Sequence, residues 1–171
     1  MGLPQTDLIN EAEGYLTKIA EHVRAQVAIN HQDVLIGMES FFCELLNRVY
    51  GWSLKSDNLS GGAQQDSFDL SDQEARIAVQ VTCTTTPAKI RKTLETFVGK
   101  HDRDFDRLIF VYPQLKAPAS QAKFEKQKKV FDFETKRDRF DFQRITLKAR
   151  SLPLDNLKRA IEFCETRSRQ S

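Results

Sequence analysis

Residues 67–82, SFDLSDQEARIAVQVT, decide how the rest of this chain is read. Phe68, Asp69 and Leu70 begin a strand in which the acid sits between two apolar side chains. A tight polar turn follows. Residues 76–83 then alternate: Ile77, Val79 and Val81 point one way, and Ala78, Gln80 and Thr82 the other. Gln80 and Thr82 therefore share a face, and the neighbouring strand holds Asp69 beside them.

Working outward, residues 7–30 carry Leu8, Ala12, Tyr15, Ile19, Val23 and Val27 on one helical stripe, with Thr6 or Asp7 as its cap. A second helix is predicted over 33–50, closed by Gly51 in a left-handed conformation. Residues 52–65, rich in Ser, Asn, Asp and Gly, read as a loop. After the strand pair, Pro87 is a suitable first helical residue, and a helix to about Val98 has Ile90, Leu94, Phe97 and Val98 inward, with Gly99 to end it. RLIFVY over 107–112 has the near-continuous apolar character of a strand covered on both faces. Residues 121–136 are expected to be a charged helix, 140–147 a further strand, and 152–165 a last amphipathic helix with Leu154, Leu157, Ile161 and Phe163 or Cys164 inward. The expected order of helices and strands is that of an α/β fold: a mixed sheet flanked by helices, with an N-terminal helical extension. A single domain over 1–171 is expected, with a helical part at about 5–50 and a core at about 64–165, or else the N-terminal piece of a longer protein.

Composition sets bounds. Forty per cent hydrophobic and 29% charged residues suit a globular domain. No apolar run approaches the roughly 18 residues of a membrane span, and the N-terminus lacks a secretory pattern. Cys43, Cys83 and Cys164 are widely spaced and odd in number, which predicts buried free thiols and a cytoplasmic location. Net charge is only +2, but residues 1–76 hold 5 basic and 12 acidic side chains, whereas 116–150 hold 11 basic and 5 acidic. That asymmetry fits either a basic surface for phosphates or one solvated charged helix.

The chemistry-bearing candidates follow from position. An acid on one strand beside a polar pair on the next is the layout of a two-strand metal-dependent nuclease site, although that site expects a carboxylate and a lysine where Gln80 and Thr82 stand. Glu39 lies on the apolar line of the second helix, four residues after Leu35 and three and seven before Phe42 and Leu46. A carboxylate there needs a partner or a cation, unless it stands at the stripe's edge and reaches water or an Arg. Asp69, Glu39, the Gln80 amide oxygen and the Val81 carbonyl are hard oxygen donors of the kind that hold Mg²⁺ or Mn²⁺. Such an ion lowers the pKa of bound water and neutralises charge on an attacked phosphate. His31 either touches phosphate or helps start the second helix, and His101 is expected in a loop. Thr84, Thr85 and Thr86 either perch a phosphate at a helix N-terminus or cap it. Phe131, Phe133, Phe140 and Phe142, set among Lys and Arg, either stack bases or form core.

FDLSDQEARIAVQVT, the downstream KIRKTLETF and the upstream MESFFCELLNRVYGW together resemble the SMEK domain, placed at the N-terminus of predicted bacterial conflict and anti-phage proteins. The chain also looks like a member of the wider PD-(D/E)xK restriction-endonuclease-like superfamily. The likeness runs from about Asp33 to Phe110, with weaker agreement in LPLDNLKRAIEFCE. The resemblance implies a restriction-endonuclease-like sheet and a metal-dependent endonuclease that cleaves DNA in bacterial defence. Asp69 matches the first-strand metal acid, Gln80 the second acid, Glu39 the helical acid, and Thr82 the lysine position. Lys89 or Lys92 on the following helix is then the relocated cation, or else each is simply on an exposed helix face. DNA, a homo-dimer or higher oligomer, and a sensor domain or partner protein are the implied partners. The alternative is a catalytically degenerate module of the same fold that binds nucleic acid or protein.

Overall fold

The structure, a computed structural model, describes residues 4–29, 33–56 and 67–170. In helix α1 (Pro4–Ala28) the buried residues Ile9, Ala12, Leu16, Ile19, Ala20 and Val23 recur in helical steps. Leu8 and Tyr15 lie half-buried at the stripe's border rather than at its centre. Helix α2 (Asp33–Tyr50) buries Phe41, Phe42, Leu45, Leu46 and Val49. Gly51 ends it at φ +72°, its N–H bonded to the Asn47 carbonyl at 3.0 Å. His31 and residues 57–65 of the expected loop lie outside the described residues.

The sheet has five strands in the spatial order of the sequence: β1 (Lys55–Ser56), β2 (Leu70–Asp72), β3 (Ile77–Val81), β4 (Arg107–Val111) and β5 (Arg139–Phe140). β1, β2 and β3 pair antiparallel, while β3, β4 and β5 run parallel. The mixed sheet flanked by helices matches the α/β expectation. Parallel neighbours need crossovers. Helix α3 (Pro87–Phe97) supplies the first; the second contains α4 (Glu125–Lys128). Helices α5 (Phe142–Ala149) and α6 (Leu154–Arg169) complete the chain.

The strand period of two divides the core. Ile77, Val79, Val81, Ile109, Val111 and Phe140 face α1, α2, α5 and α6. Ala78, Leu108, Phe110 and Tyr112 face α3 and the segment around Phe124, Phe131 and Phe133. Where α2, α5 and α6 meet, Phe41 stacks on Phe163 at 5.5 Å and Phe42 on Phe142 at 5.5 Å. Each such pair adds about 0.5–1.5 kcal/mol beyond its buried area.

The structure corrects two expected elements. Only Glu125–Lys128 of the charged 121–136 segment is helical. Phe131 and Phe133 break its helical period because both turn into the core. The strand expected over 140–147 ends at Phe140, and α5 begins at Phe142. Phe142, Ile145, Thr146 and Ala149 are buried with a helical spacing, and the Asp141 side chain caps the helix by accepting from Arg144 N–H at 2.9 Å. In α6, Cys164 is buried and Phe163 half-buried, but Leu154 is exposed.

Candidate functional site at the carboxyl edge of the sheet

Antiparallel pairing puts the start of β2 beside the end of β3, and that register builds the site. Asp69 immediately precedes β2, and its N–H donates to the Val79 carbonyl at 2.8 Å. Its carboxylate oxygen Oδ2 accepts from Gln80 Nε2 at 2.8 Å and from Val81 N–H at 2.8 Å. Gln80 Nε2 also lies 3.4 Å from the Val81 carbonyl oxygen. An amide nitrogen, positive at its hydrogens, thus sits between a carboxylate oxygen and a carbonyl oxygen. The expected neighbourhood of Asp69, Gln80 and Val81 is present.

Thr82, where the resemblance to restriction endonucleases leads one to expect a lysine, is buried. Its N–H donates to the Val111 carbonyl at 3.0 Å, and its hydroxyl accepts from Thr84 N–H at 3.1 Å. Thr86 caps α3, accepting from Lys89 N–H at 3.4 Å, so the capping role belongs to Thr86. Gln80 shares the face of Ala78, which α3 covers. Lys89, third in α3, is half-buried at the border of that helix's inner stripe, whereas Lys92 is exposed. Glu39 is half-buried at the edge of the α2 stripe. The helix layer that carries it covers the opposite side of the sheet, with Val79 and Val81. Lys89 is therefore on Gln80's face, and Glu39 is not.

Two clefts continue from this edge. One, of about 600 Å³, lies where β3 and β4 end and is lined by Cys83, Pro113–Lys116 and, from α1, Ala20, Glu21, Val23 and Arg24. Crevices at the carboxyl ends of parallel strands are the usual ligand positions of α/β sheets. The second, of about 400 Å³, lies between the 116–121 segment and the β5–α5 corner and shares Lys116 with the first. Phe131, Phe133, Phe140 and Phe142 are all buried, so they are core and not a base-stacking platform. His101 is more than a loop residue: its ring packs edge-on against Phe68 at 4.9 Å.

Sequence reasoning missed Asp138 and Arg139. Asp138 is 1% exposed, accepts from Arg107 Nη2 at 3.0 Å and Arg137 Nη2 at 2.7 Å, and takes Glu134 N–H at 2.9 Å. Arg139 donates through Nε to the Tyr112 hydroxyl at 3.3 Å and through Nη1 to the Pro118 carbonyl at 3.1 Å. The signal for both was RDRF at 137–140, where charges directly flank a strand aligned with Phe110 and Val111.

The oxygens of Asp69, Val81 and a rotated Gln80 amide suit a hard divalent cation, because turning the amide half a revolution replaces its NH₂ with an oxygen. Among the described residues no group of three or more His, Cys, Asp or Glu gathers for a metal. Asp69 is the one carboxylate among these three oxygen bearers. No described helix is long and apolar enough to cross a membrane. No curated protein and no solved structure matches the chain. A family model described as the SMEK domain matches residues 11–150, a span that contains Glu39, Asp69, Gln80, Val81, Lys89, Lys92 and both unforeseen residues. The chain belongs to the SMEK-domain family.

Proposed function

We propose that this chain is a nuclease-like effector domain that cleaves DNA phosphodiester bonds with the help of Mg²⁺ or Mn²⁺, on a restriction-endonuclease-like sheet, in bacterial defence. One observation carries the proposal: the Asp69 and Val81 oxygens flank the Gln80 amide, at 2.8 and 3.4 Å, on the edge where the sheet's clefts open. In this reading Asp69, Gln80 and Val81 hold the ion. When bound, the ion supplies a water of lowered pKa and neutralises charge at the attacked phosphate. Lys89, on Gln80's side of the sheet, is the cation that stands in for the missing strand lysine and stabilises developing charge. Lys92 is too exposed to serve that role in a dry site, and Glu39 belongs to the helix layer on the other side of the sheet. The defence setting, a homo-oligomer and a sensor region that triggers it rest on the family resemblance.

The test is plasmid cleavage with Mg²⁺ or Mn²⁺ by the wild type and by Asp69→Ala. The proposal expects nicking by the wild type and at least a hundredfold loss, roughly the weight of a lost catalytic group, in the variant. Equal activity removes Asp69 from the mechanism.

The buried, internally bonded Thr82 favours a second reading. Without an ammonium at that position the fold serves as a cytoplasmic binding module for nucleic acid or protein. Calorimetry separates the two: no ion binding at millimolar Mg²⁺ or Mn²⁺, with DNA still bound, selects the module.

A further inference from the structure

Arg139 projects from β5 to the same side of the sheet as Tyr112, its guanidinium carbon 5.2 Å from the Tyr112 ring centroid. Two of its nitrogens donate to neutral oxygens, those of Tyr112 and Pro118. The third, Nη2, is buried with no hydrogen-bond partner among the described residues. A charged donor left this way costs more than a neutral one and calls for an acceptor. No carboxylate pairs with Arg139, Arg144, Lys116 or Lys136 among the described ion pairs. All four line the smaller cleft, where the one acid is Asp141. Asp141 is committed elsewhere: its oxygens accept from Arg144 N–H at 2.9 Å and Ala117 N–H at 2.8 Å. Arg144 is engaged, its Nη1 donating to the Lys136 carbonyl and its guanidinium lying over the Phe140 ring at 4.6 Å, so Arg139, Lys116 and Lys136 are the cations left at a cleft whose one lining carboxylate among the described residues is already used.

We propose that this cleft is a phosphate subsite, in which Arg139 with Lys116 and Lys136 receives a phosphodiester oxyanion of a nucleic-acid backbone. Guanidinium suits this ligand because its planar fork matches two phosphate oxygens. The choice of a polymer over a free phosphate comes from continuity. Lys116 joins this cleft to the larger one, whose lining includes Cys83, two residues beyond the end of β3 at Val81. A chain of phosphates can follow that path; a lone anion has no use for it. The inference rests on the nucleic-acid part of the proposed function but not on hydrolysis.

The experiment is fluorescence anisotropy of a labelled 20-nucleotide strand and a 20-base-pair duplex, in EDTA, on the full chain, across about 50–200 mM salt. The variants are Arg139→Gln and Lys136→Gln; Lys136 is exposed, so its replacement leaves the core alone. Each is expected to weaken binding about three- to tenfold and to lower the salt slope by about one. Competition by inorganic phosphate at millimolar concentration is expected to be weak. Unchanged affinity and slope in both variants, or a wild type that binds neither oligonucleotide at low salt, overturns the proposal. Binding to anionic lipid vesicles in place of oligonucleotides does so too. Because no metal is present, the outcome is separable from the cleavage test. Arg139-dependent binding without cleavage keeps this subsite and removes the nuclease. Cleavage with Arg139-independent binding does the reverse.

Discussion

Asp138→Asn should be among the most destabilising single-atom exchanges in this chain. The carboxylate is 1% exposed and serves both neighbouring arginines. Oδ1 accepts from Arg107 Nε and Nη2 at 3.3 and 3.0 Å and from Arg137 Nε at 3.0 Å. Oδ2 accepts from Arg137 Nε and Nη2 at 3.1 and 2.7 Å and from Glu134 N–H at 2.9 Å. An amide keeps one acceptor and turns a donor toward two guanidinium groups. Removing one partner of a buried ion pair costs about 3–5 kcal/mol. The Arg107 and Arg137 side chains are 32% and 39% exposed, so water relieves part of that cost. We expect about 2–4 kcal/mol, which for a chain of this size lowers Tm by about 5–12 °C. The assay is thermal melting followed by circular dichroism at pH 7, with and without about 0.5 M added salt, since screening weakens exposed pairs far more than buried ones. Asp132→Asn is the control, because Asp132 pairs with the same Arg137 from a 74% exposed position, where such a pair is worth about 1 kcal/mol or less. If the two variants melt together, burial does not govern the Asp138 cluster and the reasoning fails.

Three further outcomes follow from the same structure. Asp141→Ala should cost about 2–3 kcal/mol by urea denaturation, since it removes the α5 cap and strands Ala117 N–H as well; a loss below about 0.5 kcal/mol would show that α5 does not depend on it. Asp72 accepts N–H bonds from Ala75 and Ser53, at 2.9 and 2.7 Å, and these hold its carboxyl below the usual carboxylate range. A depressed folded value contributes stability that is present above the unfolded pKa and lost as pH falls through the folded one. The stability gap between wild type and Asp72→Asn should therefore be constant at neutral pH and shrink below about pH 4; a gap that instead grows on acidification would contradict the bonding. Burial raises the thiols of Cys43 and Cys83 and pushes Cys164 up to about 12. At pH 7.5 a thiol reagent should modify Cys83 and Cys43 slowly and reach Cys164 only in denaturant; rapid native labelling of all three would refute this.

The sequence carried α2, Gly51, the β3–α3–β4 crossover and the apolar β4 plainly, because each has a strong period and an unambiguous stop signal. It failed at Phe140-Asp-Phe142, where alternation and a helical start look alike. What separates them is the Asp141 cap and a stripe that becomes visible only as far as Ala149. The Asp69–Gln80 neighbourhood was legible because a short turn leaves little freedom in register. The side of the sheet that α2 covers was not, since that depends on how four helices share one face. Glu39 was assigned from the helix alone, and a helix's own stripe does not say which strand residues lie beneath it. Arg139 stayed hidden because a cation inside a strand reads as an outward position, whereas here it lies against Tyr112.

Because Gln80 is neutral, Asp69 is the one formal charge of that bonded trio. A divalent ion seated on one carboxylate keeps surplus positive charge, and the natural group to cancel it is a phosphate. Ion and substrate would then each tighten the hold on the other, by the same factor in both directions. Under the proposed function, such a pocket would stay quiet without its polymer, the Gln80 amide hydrogens capping the aspartate until ion and polymer were both present.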